Sequence, residues 1–162
     1  MKSVCIVGRQ PSIARAELES LFGSSRVQPV HDYAAALDVA AIDVPFERIG
    51  SCVKLGEVLG VVDTHEWPRL QREFMRLALR RAQDLSEGKI QLGLSAYGLK
   101  VNPRQLGGAG LELKKQLRKA GYSVRLVPNQ EAALSSAQVL HNHLAGERGL
   151  EILLIRSGAH VI

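Results

Sequence analysis

Residues 2–8 are mainly apolar and alternate little, the pattern of a central strand, and Gly8-Arg9-Gln10-Pro11 breaks it. Ser12 is placed to cap a helix over 12–22, with Pro11 at its entry and Gly23 at its end. Ile13, Ala16, Leu18, Leu21 and Phe22 supply its apolar stripe, and Glu17 and Glu19 face water. Two short strands follow, 27–30 and 33–39, around His31-Asp32. The propensity of Ala34-Ala35-Ala36-Leu37 allows a helix equally at the second. Pro45 starts a short helical turn through Ile49, and residues 52–62 read as another strand. The longest helix is predicted over 67–85. Leu70, Phe74, Leu77 and Leu85 mark its apolar stripe; Arg69, Arg72, Arg76, Arg80 and Arg81 mark a basic side, with Glu66, Glu73 and Asp84 as partners within reach.

The order β-α-β-β-α-β in residues 1–65 is the split βαβ pattern of a ferredoxin-like domain. Residues 66–162 form a second unit. There, 90–97 alternates with period 2 and reads as a strand, and 98–110, rich in Gly and Pro, reads as a loop. A helix over 111–120 ends at Gly121, and 122–127 is a strand. Ser135 and Gln138 fit a capping box for a helix to Leu144. Residues 151–155 form the last full strand. Ser157-Gly158 turns the chain, and His160-Val161-Ile162 opens a return strand so short that a longer natural chain is expected.

At 162 residues the chain suits one compact domain or two small ones, and 46% hydrophobic against 23% charged residues excludes wholesale disorder. Aromatics are only 4%, so the core must be aliphatic. Apolar runs fall well short of the ~20 residues of a membrane helix. The first residues meet Gly8 and Arg9 too early for a signal peptide. Cys5 and Cys52 make neither a disulfide framework nor a metal site, which points to a reducing cytoplasm. The net charge of +5 is unevenly held. Residues 1–88 carry 11 basic and 12 acidic side chains, and residues 89–162 carry 10 and 4. A basic half beside a neutral one suggests a polyanion footprint, nucleic acid being the commonest.

Enzyme constellations are missing. Gly107-Gly108-Ala109-Gly110 precedes the 111–120 helix but lacks the G-x-G-x-x-G spacing and does not follow a strand directly. At a helix start its N–H groups could meet a phosphate, although a flexible loop is the plainer reading. His141 and His143 point to different faces of a helix, so no metal is expected. The basic elements carry more. On the 111–120 helix, Leu113, Leu117 and Ala120 share one face, and Lys114, Lys115, Arg118 and Lys119 occupy the rest. Lys114/Arg118 and Lys115/Lys119 are repelling i, i+4 pairs with only Glu112 near enough to offset them. An anion would relieve that cost, and Arg104 and Arg125 could join the cluster. Gln138, His141 and Asn142 suit hydrogen bonds to phosphate or ribose, and suit plain solvent equally.

These segments carry a family resemblance. Gly93-Leu94-Ser95-Ala96-Tyr97-Gly98, Leu113-Lys114-Lys115-Gln116-Leu117, Gly121-Tyr122-Ser123-Val124-Arg125, Leu134-Ser135-Ser136-Ala137-Gln138-Val139 and Glu151-Ile152-Leu153-Leu154-Ile155 together resemble a THUMP domain. That RNA-binding module occurs in tRNA thiouridine synthases, methyltransferases and pseudouridine synthases. Val4-Cys5-Ile6-Val7-Gly8-Arg9, Ala16-Glu17-Leu18-Glu19 and Arg48-Ile49-Gly50-Ser51-Cys52-Val53-Lys54-Leu55 resemble the N-terminal ferredoxin-like domain of guanosine-N2 tRNA methyltransferases acting on position 10. Ile49 and Ser51 depart from the usual leucine-glycine-glycine of that motif.

The resemblance implies an α/β (α+β) chain: a ferredoxin-like domain over 1–65, then a linker helix and THUMP domain over 66–162, truncated at the C-terminus. It implies tRNA as partner, held by its acceptor stem and 3′ CCA end, with no membrane and no metal. This chain alone would not be an enzyme. S-adenosylmethionine and the catalytic motif would belong to a methylase domain that is absent here. The implied RNA surface comprises Arg104, Lys114, Lys115, Arg118, Lys119, Arg125, Ser136, Gln138, His141 and Asn142, and Tyr97 could stack on a base. The other class of reading is a ferredoxin-like regulatory module whose basic patch binds an anionic metabolite.

Overall fold

A computed structural model describes residues 1–162, which fold into two four-stranded sheets and four α-helices. In the first sheet, β1 (Ser3–Val7) and β3 (Ala34–Leu37) are central, and β2 (Val27–His31) and β4 (Cys52–Glu57) are the edges. The order is β2-β3-β1-β4 and every pair is antiparallel. The Ala34–Leu37 run, a good helix former in isolation, is a strand here. Both its faces are covered, and burial outweighs local propensity.

Helix α1 (Pro11–Phe22) packs on one face of this sheet. Ala14 and Leu18 are its buried residues, joining Cys5, Val7, Ala35, Leu37 and Cys52. The stripe expected from Ile13 and Leu21 is corrected: they are 57% and 46% exposed. Ser12 is not the cap either; Gln10 stands at that position without a side-chain bond, and Pro11 opens the helix. The turn after Pro45 is a short 3-10 helix over Phe46–Arg48.

Helix α2 (Trp67–Arg81) leads to the second sheet: β5 (Lys89–Tyr97), β6 (Ser123–Leu126), β7 (Gly149–Ser157) and β8 (His160–Val161), in the order β6-β5-β7-β8. β5 runs parallel to both β6 and β7, and β8 is antiparallel to β7. Helix α3 (Pro103–Lys119) crosses from β5 to β6, and α4 (Ser136–His141) lies between β6 and β7. The loop expected over 98–110 is corrected. Asn102 and Gln105 form a capping box, Pro103 occupies the first turn, and the helix begins there. Gly107, Gly108 and Gly110 are therefore helical. Only Gly110 is held close by a neighbour, since a Cβ there would meet Leu126. The helix expected to reach Leu144 ends at His141.

One face of the second sheet, through Ile90, Leu92, Leu94, Ala96, Ile152 and Leu154, packs on α2 and α3. The other face is also covered. Val127, Leu134, Val139 and Leu144 gather around α4, and Leu153, Ile155 and Tyr97 meet Val4, Ile6 and Ala34 of the first sheet. The layers are α1, first sheet, second sheet, then α2 with α3. Each fully buried aliphatic residue in these interfaces contributes about 1.5–3 kcal/mol. At one end, Gly98 has φ +69°, and a Cβ there would lie 2.4 Å from the His31 imidazole, so the β2–β3 hairpin closes directly onto its backbone.

Candidate nucleic-acid interface

The second sheet divides the expected RNA residues. Val124 and Leu126 face α3, so Arg125 between them points to the opposite side. That is the side on which α4 lies. Arg125 therefore does not join the α3 cluster. Ser136, Gln138, His141 and Asn142 are on α4's side of the sheet as well, and Arg104, Lys114, Lys115, Arg118 and Lys119 are on the other.

On α3, Leu106, Ala109, Leu113 and Leu117 turn inward, and Arg104, Lys115, Arg118 and Lys119 are exposed with Lys114 half-buried beside them. Arg118 and Lys119 suit the negative end of the helix dipole; Arg104, in the first turn, sits at the unfavourable end. Glu112, the carboxylate expected to offset the lysines, instead accepts a hydrogen bond from Gln116 at 3.2 Å. Gln116 also reaches Met75 of α2, so α2 and α3 lie side by side in one outer layer. Exposed Arg69, Arg72 and Arg80 of α2 add to that layer's charge, while Arg76 pairs with Glu73 and Arg81 with Glu57 and Asp84.

Ion pairing separates the halves of the chain. Lys2, Arg15, Lys54, Arg76 and Arg81 have carboxylates within 4.0 Å; none of the ten Lys and Arg residues of 89–162 does. Folding leaves that excess positive charge without carboxylate partners.

The α4 residues are less free. Gln138 accepts the N–H of Ser135 at 3.0 Å in the capping box, and the Asn142 amide donates to the Gln138 carbonyl at 2.9 Å. Ser136 and His141 remain exposed. Tyr97 is packed between the sheets, where burial and then the charge of Glu151 push its phenol above its ordinary range. Its side chain is half-buried.

Sequence reasoning missed a polar cluster between the sheets. Lys54 of β4, 7% exposed, donates to Glu151 of β7, to the Leu134 carbonyl at 2.7 Å and to Ser95 Oγ at 3.4 Å. Ser95 Oγ in turn donates to Glu151 at 2.5 Å and accepts the Leu134 N–H at 3.0 Å. Alternation along β4 would put Lys54 on the same face as Cys52. A bulge changes this: Val7 opposes Cys52 and Ile6 opposes Lys54, so Lys54 turns to the second sheet. A second missed cluster holds α1 to the loop before β4. The Glu17 carboxylate accepts the N–H groups of Gly50 and Ser51, both at 3.0 Å, and the Ser51 hydroxyl. The Ser51 hydroxyl, then the Gly50 N–H, holds the Glu17 carboxyl below its usual range.

Cys5 and Cys52 are buried and unbridged, and pairing with Cys52 together with burial pushes the Cys5 thiol up. No cluster of three His, Cys, Asp or Glu side chains stands close enough to hold a metal ion, and no helix is long and apolar enough to cross a membrane. Gly107–Gly110 lie inside α3, where their N–H groups serve the helix ladder rather than a phosphate. Comparison with protein-family models, curated proteins and solved structures finds no match.

Proposed function

We propose that this chain is the tRNA-binding recognition module of a tRNA-modifying enzyme. In this reading residues 1–65 are a ferredoxin-like domain, and residues 66–162 are a linker helix and a THUMP domain. The all-antiparallel order β2-β3-β1-β4 supports the first assignment, although 3-10 turns stand where that fold has its second helix. The parallel β6-β5-β7 arrangement with crossing helices is compatible with the second. The enzyme is a guanine-N2 methyltransferase, and S-adenosylmethionine binds a domain other than this one.

The observation that carries the proposal is the unpaired positive charge of 89–162, concentrated on the outer face of α3 beside the free arginines of α2. Such a face neutralises phosphates independently of sequence, by counterion release. A-form RNA hides its major groove from side chains, so selectivity comes from shape, 2′-hydroxyls and the single-stranded end. Titration with intact tRNA, tRNA lacking its CCA end and an anionic nucleotide tests the reading. It expects submillimolar, salt-sensitive binding of both RNAs and tighter binding of the intact one. A single saturable nucleotide site with no RNA binding rejects it in favour of the metabolite module.

A further inference from the structure

β8 is a strand of two residues beside a strand of nine. It pairs with Arg156 and Ser157, and Ile162 exchanges two hydrogen bonds with Ile155, both at 2.9 Å. Ile155 therefore directs its N–H and C=O away from β5. By the two-residue period of a strand, Leu153 and Glu151 direct theirs to the same open edge. Neither has a backbone partner there, whereas the alternate residues serve the ladder with β5.

This edge is the floor of a cavity of about 600 Å³. Leu70, Phe74 and Leu77 of α2 form one wall; Val53 of β4, with Leu140 of α4, forms the other. Leu140 is 71% exposed and Val53 45%, an apolar surface with no cover in the folded chain. Beyond β8, Val62 exchanges bonds with Val161 at 2.8 and 2.9 Å, so the slot is bounded on both sides by extended chain.

We infer that this slot is the seat of an extended aliphatic strand, added to β7 antiparallel and in line with β8. Continuity with the existing β7–β8 pairing fixes its direction and register. Its second and fourth residues past the Ile162 position exchange hydrogen bonds with Leu153 and Glu151. Its first, third and fifth side chains meet α2, and the second and fourth meet β4 and α4. The charged lining residues are already paired, Lys54 with Glu151 and Arg81 with Glu57, and the rest of both walls is largely apolar, so the occupant is aliphatic on both faces, unlike an ordinary half-exposed edge strand. The inference is independent of the RNA reading.

The test compares three proteins: the chain ending at Ile162, one with Val-Ile-Val-Ile-Val-Gly-Lys-Lys appended, and one with a Gly/Ser octapeptide appended. Hydrogen exchange is read at the amides of Glu151 and Leu153, with sedimentation on each sample. The valine extension is expected to slow both amides at least tenfold relative to the Gly/Ser extension, in a monomer. If it self-associates, the same octapeptide added in trans to the chain ending at Ile162 is expected to give the same protection. Equal exchange with and without the valine segment overturns the inference. So does a dimer of the unextended chain with both amides already protected, because a second copy is then the occupant.

Discussion

The Lys54 ammonium spends all three of its N–H donors across the inter-sheet boundary, on Glu151 and Ser95 of the second sheet and on the Leu134 carbonyl just before α4, while the Lys54 backbone belongs to the first sheet. The pair is nearly enclosed, with 7% and 10% of the two side chains exposed. Its attraction is set against desolvation of both charges, so its chief effect is to fix how the sheets meet.

Removing one partner is the informative change. Lys54→Ala leaves Glu151 buried and uncompensated and is expected to cost about 3–5 kcal/mol. The double variant Lys54→Met/Glu151→Leu restores most of that loss, because apolar groups of similar volume need no partner. Denaturant unfolding of the single and double variants checks both statements.

Glycines separate by what surrounds them. A Cβ at Gly149 would lie 2.1 Å from the Leu144 carbonyl oxygen, a backbone atom, and one at Gly93 would lie 2.7 Å from Leu134 Cδ1. Gly93→Ala should cost about 1–3 kcal/mol, and Gly149→Ala more, because its neighbour cannot rotate away. Gly107 and Gly108 have nothing within 4 Å. Replacing either by Ala should add up to about 1 kcal/mol through helix propensity. Thermal midpoints should be highest for Gly107→Ala and Gly108→Ala, lower for Gly93→Ala and lowest for Gly149→Ala.

The Glu17 contacts give a pH signature. A carboxyl held below its unfolded value contributes stability above the unfolded pKa, about 4.3, and loses it as pH falls through the folded value. Wild type should therefore lose stability below about pH 4.5 more steeply than Glu17→Gln. Parallel curves for the two proteins between pH 2 and 5 would contradict this role.

Much of the element order was legible because apolar runs and turn residues agree. Residues 2–8, the Ser135–Gln138 capping box and the Ser157-Gly158 turn all read locally. Three features did not. Helix α3 begins eight residues earlier than glycine content suggests, because Asn102, Pro103 and Gln105 outweigh three glycines. Helix α1 buries Ala14 and Leu18 rather than Ile13 and Leu21, a phase that only the sheet beneath it decides. Lys54 reaches Glu151 only because Val53 is bulged, and single-strand alternation cannot register a bulge. The candidate surface divided for a related reason: Arg125 follows α3 closely in sequence, but strand alternation sends it through the sheet.

The central claim is that the outer face of α3 takes phosphates. Filter binding of tRNA over a series of salt concentrations tests it, with wild type, the triple variant Lys114→Ala/Lys115→Ala/Arg118→Ala, and Arg125→Ala. The triple variant should stay folded, since Ala favours helix and the lysine repulsion is relieved. Its log–log salt slope should fall by about 2–3 units, at roughly 0.7–0.9 per phosphate. Arg125→Ala, on the far side of the sheet, should leave the slope within measurement error. An unchanged slope in the triple variant, with a reduced one in Arg125→Ala, would contradict the account and move the RNA to the α4 side.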